Sequence, residues 1–316
     1  RSANTSPEEP KIGLSFTACV IVPIWTPMRP ETRPEALLLP TPSGVCCKTG
    51  GFYIDPTRAV DKALITHGHS DHARAGHGKV LATQETLDIM RLRYGDDFAG
   101  SVQAIGYGET VTLNGVSATF HPAGHVLGSA QIAVERKGCR IVASGDYKNV
   151  SDPTCAPFEL VPCDVFITEA TFGLPVFRHP DPEAEIAKLL HSVALFPERA
   201  HLVGAYTLGK AQRVIALIRK AGYREPIYLH GAMETLSRYY LSRGIDLGEL
   251  RAVREMKKAE LGGTANEAVP GSYRAVHYDA WVNDHPVSDA DGQIGVLTVA
   301  GDVAAGEDGT HQAAVS

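Results

Sequence analysis

The stretch Ala63-Leu64-Ile65-Thr66-His67-Gly68-His69-Ser70-Asp71-His72 sets three imidazoles and a carboxylate within six residues, directly after an apolar run. The run reads as a buried strand that delivers the chain straight into a histidine-rich loop. On an extended segment alternate side chains share a side, so His67 and His69 project together and can reach one metal ion. Where the chain turns after Ser70, Asp71 and His72 can face a second ion beside the first. Gly68 and Ser70 are small enough to let the loop fold tightly. Neutral imidazole and carboxylate are the usual protein ligands for zinc and similar divalent ions. A solvated polar loop would account for one such histidine, but poorly for the whole pattern.

Two segments downstream fit the same centre. His121-Pro122-Ala123-Gly124-His125 puts a histidine beside glycine at the end of a strand, and Ser144-Gly145-Asp146-Tyr147 puts a carboxylate just after the apolar run 141–143. Alone, each reads as a turn. Beside the HxHxDH loop, each reads as carrying a ligand.

Around these motifs short strands and helices alternate, which predicts α/β layering. Thr83 to Tyr94 predicts a helix capped by Thr83 and stopped by Gly95. Asn114-Gly115, between 111–113 and 116–120, predicts a hairpin with a type I′ turn, and Lys137-Gly138 predicts a second between 131–135 and 139–143. A strand is expected over 164–168. Beyond Pro175 the pattern predicts a helix over 182–195, a strand over 201–205 and a helix over 207–221 capped by Thr207. A further strand is expected over 226–229.

The chain has 316 residues, 44% hydrophobic and 21% charged, which excludes a mainly disordered chain, a collagen-like fibre and a coiled coil. No run approaches the roughly 20 apolar residues of a membrane-spanning helix. The longest, from Phe16 to Trp25, is broken by Pro23, and Glu8 and Glu9 stand where a signal peptide carries positive charge. A soluble, cytoplasmic protein without a membrane partner is the expectation. The six cysteines form no CxxC pair, so reduced thiols are expected, with Cys46-Cys47 two buried or incidental ones. Residues 1–27 look irregular, and Met28, the first methionine, marks the expected start of the ordered chain.

The three metal-type segments together resemble those of the metallo-β-lactamase superfamily of binuclear hydrolases. The resemblance implies an αββα sandwich with two divalent metal ions, zinc first, manganese or iron as alternatives. It puts His67, His69 and His125 on one ion, Asp71 and His72 on the other, and Asp146 between them. A paired site of this kind lowers the pKa of a bridging water and clamps attacking and leaving oxygens. Thr168-Glu169-Ala170-Thr171-Phe172-Gly173 resembles the motif that opens the β-CASP insertion of nucleic-acid-cleaving members, where the Glu169 position orients a histidine of the site. Ala205-Tyr206-Thr207-Leu208-Gly209-Lys210-Ala211-Gln212 resembles a helix start of that insertion, and Tyr228-Leu229-His230-Gly231-Ala232 fits its continuation. The likeness runs from about Met28 to about Leu261. Within the branch it points to bacterial ligase-associated DNA exonucleases, also known as mRNA 3′-end processing factor-like proteins. The implied catalytic residues are Asp71, Asp146 and Glu169.

This divides the chain into an irregular extension (1–27), a metallo-β-lactamase core (28–175), a β-CASP-like segment (176–262) and an acidic tail unlike the family (263–316). The tail carries eight acids and one base, Arg274, a net −7 that leaves +1 for the rest of a chain at −6. The family's late Ser-Asp-His-Ala-Asp-like and Thr-His-Gly-like motifs have no counterpart. Asn283-Asp284-His285-Pro286 is a faint echo, and His277 and His311 lack matching context. A shifted reading frame near codon 262 would explain both the lost motifs and the acid bias. Positive charge for a phosphate backbone is expected from Arg74 and Lys79, and from Lys210 and Arg213 at a helix start whose dipole also favours anions. Arg178, Arg219, Lys220 and Arg224 add to it. The resulting expectation is a DNA exonuclease, tied by family analogy to a DNA ligase and DNA repair. An RNA-processing nuclease and a non-catalytic metal- or DNA-binding relic are the alternatives.

Overall fold

The structure, a computed structural model, describes residues 19–21, 33–171, 173, 174, 176, 177, 179–197, 201–255 and 294–298. Positive φ at Asn114 and Gly115, and again at Lys137 and Gly138, closes two type I′ turns. The first joins β8 (Thr110–Leu113) to β9 (Val116–Pro122), and the second joins β10 (Ala130–Arg136) to β11 (Cys139–Ala143). With β12 (Val165–Thr168) and β1 (Cys19–Ile21) these make a six-stranded sheet in the order β1-β12-β11-β10-β9-β8. Strand β9 buries Val116, Ala118 and Phe120 and leaves the alternate residues partly exposed, so it has one core face; the first five residues of β10 are buried throughout.

A second six-stranded sheet runs β2 (Leu39–Thr41), β3 (Gly44–Cys47), β4 (Phe52–Ile54), β5 (Lys62–Leu64), β6 (Lys79–Ala82), β7 (Val102–Ala104). It is antiparallel from β2 to β4 and parallel from β4 to β7. One hydrophobic cluster joins the two sheets face to face, with Phe52, Leu64, Leu81 and Ile105 of the second against Phe120, Ile132 and Ile141 of the first. The outer side of the second sheet is covered by helix α2 (Gln84–Tyr94), whose Leu87 and Met90 pack on Ile65 and Val80. Thr83 caps that helix, accepting from the Thr86 N–H, and Gly95 ends it at φ 84°, as the sequence predicts.

The segment after Pro175 supplies three strands of a third, four-stranded parallel sheet, and the fourth comes from the 263–316 tail. Helix α3 spans Pro182–Leu195 and strand β13 spans His201–Ala205, both at the predicted bounds. Helix α4 (Lys210–Lys220), β14 (Ile227–Leu229), α5 (Gly231–Ser242) and β15 (Leu250–Ala252) follow, the two helices packing with α3 around one apolar cluster. Strand β16 (Ile294–Thr298) lies between β13 and β14. Asn283 to Pro286, His277 and His311 lie outside the described residues. Among those described, no helix is long and apolar enough to cross a membrane.

Helix α4 starts three residues later than its apolar pattern predicts. Gly209 stands before it at φ 83°, a left-handed conformation that no helical residue adopts, and donates its N–H to the Gln212 side chain at 2.8 Å. The stretch 206–209 is therefore a tight loop, and Thr207 uses its carbonyl to accept from Gln212 rather than capping the helix. The seam with the core is closely made. Ile89 of α2 enters the inserted segment's cluster, Tyr239 donates to Asp88 at 2.9 Å, and the Leu127 N–H donates to the Tyr240 hydroxyl at 3.2 Å.

Candidate metal centre

Adjacent strands β4 and β5 both end beside the centre, and the residues just past them organise it. Asp55, at φ 43°, turns its carboxylate inward, where one oxygen accepts the Thr66 N–H at 2.8 Å. The other oxygen accepts the Thr66 hydroxyl at 2.6 Å and meets His72 Nδ1 at 2.8 Å. Because the Thr66 hydroxyl gives its hydrogen to Asp55, its lone pair must accept from His67 Nδ1, 3.0 Å away. These bonds assign Nδ1–H to His67 and His72 and turn the Nε2 atoms of both forward. His69 is held the other way round. Its Nε2 lies 3.2 Å from the Leu208 carbonyl, so that atom carries the hydrogen and Nδ1 faces the centre.

The forward atoms converge. His69 Nδ1 lies 3.0 Å from His67 Nε2 and 3.2 Å from His125 Nε2. One Asp146 oxygen, Oδ2, lies 3.7 Å from His67 Nε2 and 3.5 Å from His125 Nε2. Bonds of about 2.0–2.2 Å to a tetrahedral ion give ligand–ligand edges of roughly 3.3–3.6 Å. These separations of 3.0–3.7 Å lie within a few tenths of an ångström of those edges, so the four donors can hold one small divalent ion. The other Asp146 oxygen, Oδ1, is 3.3 Å from His72 Nε2, which is 3.7 Å from Asp71 Oδ2. Asp146 thus offers one oxygen to each of two neighbouring donor groups, and Asp71, its side chain 64% exposed, marks the open side. Asp55, His67 and His72 also cluster closely enough for a metal, but Asp55 already accepts three hydrogen bonds there. That cluster is the scaffold behind the centre.

The electrostatics agree with this division. Burial, then the neighbouring His72, His69 and His125, hold His67 well below the usual imidazole range. Burial and His69 pull His125 down to about 4. Burial opposes charge on His72 too, but its bonds to Asp146 and Asp55 prevail and hold it well above that range. Burial raises the Asp146 carboxyl, and the His72 bond more than offsets this, leaving it below the ordinary value. In the metal-free chain the surroundings thus favour neutral His67 and His125, an ionised Asp146 and a protonated His72. His72 Nε2 can ligate only after losing its proton, so binding at pH 7 should release about one proton per chain, with affinity rising as pH climbs. Calorimetric zinc titration in buffers of different ionisation enthalpy measures this; zero release would contradict the assignment.

The remaining expected residues make contacts of their own. Glu169, beyond β12, accepts the Thr171 N–H of its own loop at 2.7 Å. Arg74 is exposed beside the histidine loop, and Lys210 stands over the Tyr206 ring at 5.6 Å. Arg213 lies 3.3 Å from Asp152, a buried carboxylate that also pairs with Lys148. Lys220 pairs with Glu183 at 2.7 Å. Arg219 does not serve a phosphate. It is 2% exposed and donates to the carbonyls of Leu247, Tyr223, Glu225 and Glu249, main-chain oxygens of the turns after α4 and α5. Sequence reading missed Asp55, whose Asp-Pro step after a strand is the one available signal, and the Leu208 carbonyl, which has none.

Two facing sheets thus carry histidine and carboxylate donors on the loops at their strand ends. No family model matches the sequence. A probable DNA ligase of Opitutus terrae is 29% identical over 202 residues, 62% of this chain and 19% of its own length. Endoribonuclease YSH1 of Eremothecium gossypii is 29% identical over 198 residues, 50% of this chain and 26% of its own. An RNase J-like protein of Methanocaldococcus jannaschii is 26% identical over 240 residues, 67% and 56% respectively. This chain is similar to these relatives, which are β-CASP members of the metallo-β-lactamase superfamily. It spans between about a fifth and just over half of their lengths.

Proposed function

We propose that this chain is a metal-dependent phosphodiesterase that cleaves nucleic acid, in first reading a DNA exonuclease. The convergence of His67, His69, His125 and Asp146 on one point, with His72 and Asp71 alongside, is the observation that carries the reading. These residues would hold two divalent ions, zinc first and manganese or iron as alternatives. Such a pair supplies Lewis acidity and a water of lowered pKa. Asp71, at the open side, accepts a proton from the attacking water and orients it. Asp146 fixes the spacing of the two donor groups, and Glu169, past β12, would orient a histidine of the site. Arg74 and Lys210 meet substrate phosphates by charge. Arg213 contributes from beside Asp152. The ligase relative favours DNA and a repair role, whereas the names of the other two favour RNA as the second reading.

End-labelled single-stranded DNA and matched RNA, supplied with zinc or manganese, test this beside an Asp71→Ala control. Metal-dependent shortening that the control lacks supports the reading, and the better substrate decides between DNA and RNA. A folded, metal-loaded chain that cleaves neither is the relic.

A further inference from the structure

Three histidines face the first donor group, and two of them present Nε2. His69 presents Nδ1, because a backbone oxygen 139 residues further along the chain accepts from its other nitrogen. That oxygen belongs to Leu208, in the loop between β13 and α4, so the group that orients this ligand comes from the inserted segment and not from the core. We infer that the Leu208 carbonyl is a positioning group of the first metal site, making the inserted segment a working part of that centre. This rests on reading the site as a metal centre.

The loop is built to hold that oxygen still. A Cβ on Gly209 would fall 2.3 Å from Val126 Cγ1, so the backbone approaches the His125 loop as closely as glycine allows. Gln212, fully buried, accepts from Gly209 N–H and donates to the Thr207 carbonyl at 2.9 Å and the Ser237 hydroxyl at 3.0 Å, bracketing Leu208 on both sides. A second tether runs from α4 through Arg213 and Asp152 to Lys148, whose N–H donates to the Ala123 carbonyl, two residues before His125. Outer hydrogen bonds of this kind typically change metal affinity about 10- to 100-fold.

Zinc affinity by chelator competition, and the visible absorption of the cobalt-loaded protein, read this without any assay of cleavage. Gly209→Ala and Gln212→Ala, each shifting the loop, should weaken the first zinc by about 10- to 100-fold and alter the cobalt spectrum. Leu189→Ala, which opens a cavity on α3 in the same apolar cluster without touching the loop's own hydrogen bonds, should lower thermal stability and leave both readouts unchanged. Native affinity and spectrum in the two loop variants would overturn the inference, as would an equal loss in Leu189→Ala. Should the loop variants fail to fold, nitrogen NMR of the zinc-loaded wild type decides. His69 should be ligated through Nδ1 with a slowly exchanging Nε2–H, and fast exchange or Nε2 ligation would overturn it. A wild type that binds no zinc would instead remove the metal-centre reading itself.

Discussion

Asp146→Asn should leave the chain folded but unable to hold two metal ions at once. The carboxylate divides its oxygens, Oδ2 toward His67 and His125 and Oδ1 toward His72. An amide keeps the shape, yet one oxygen becomes an NH2 group that cannot ligate, and the charge that balances His72 from the front is gone. Loss of a shared ligand removes several kcal/mol of transition-state stabilisation, and about 4 kcal/mol corresponds to roughly 10³-fold in rate. Cleavage should fall by at least about that factor, and metal content after dialysis should drop below two ions per chain. Two retained ions with near-native cleavage would disprove the bridging role.

The second large effect belongs to Asp55, which accepts three hydrogen bonds beside the donors. Alanine there strips the Thr66 N–H, the Thr66 hydroxyl and His72 Nδ1 of their shared acceptor, all in a buried setting. Breaking a buried, hydrogen-bonded charge pair from one side costs about 3–5 kcal/mol. Urea unfolding of the metal-free protein should show that loss near pH 6.5, while Asp55→Asn, which keeps an acceptor for Thr66, should lose less. The sign with pH follows from His72, whose folded value is raised. Its share of stability is complete below the unfolded imidazole value of about 6.5 and is lost as pH rises through the folded value, so the alanine penalty should shrink in alkali. A loss under about 1 kcal/mol at pH 6.5 would refute the scaffold role.

Much of the architecture was legible because it rests on short-range rules. Pro182–Leu195 shows its helical face and the Asn114-Gly115 turn its hairpin within a few residues each. The donor residues were legible because HxHxDH concentrates ligand chemistry in one loop, and His125 and Asp146 stand at strand ends. The late start of α4 was not, since the apolar pattern continues back through Leu208 while a side chain, Gln212, decides the loop. Helix α5, headed by Gly231, offers a weak start signal and is fixed by packing on α2 and α4. The Leu208 carbonyl leaves no trace in sequence at all. Nor could the burial of Arg219 be read, because a basic residue near a helix end looks like any solvated one.

Arg219 also carries a consequence for how freely this region can vary. Its guanidinium satisfies four main-chain oxygens, and every amino acid supplies an identical one, so the side chains of Tyr223, Glu225, Leu247 and Glu249 play no part in those bonds. The constraint falls on two letters. Lysine cannot fork to four acceptors, and at Gly248 a Cβ would press to 2.3 Å from Arg219 Nε. The hydrogen bonds of this turn are thus secured by one pair of residues, and the freedom this leaves falls to the exposed Glu225 and Glu249 rather than to buried Leu247 or to Tyr223 beside the guanidinium.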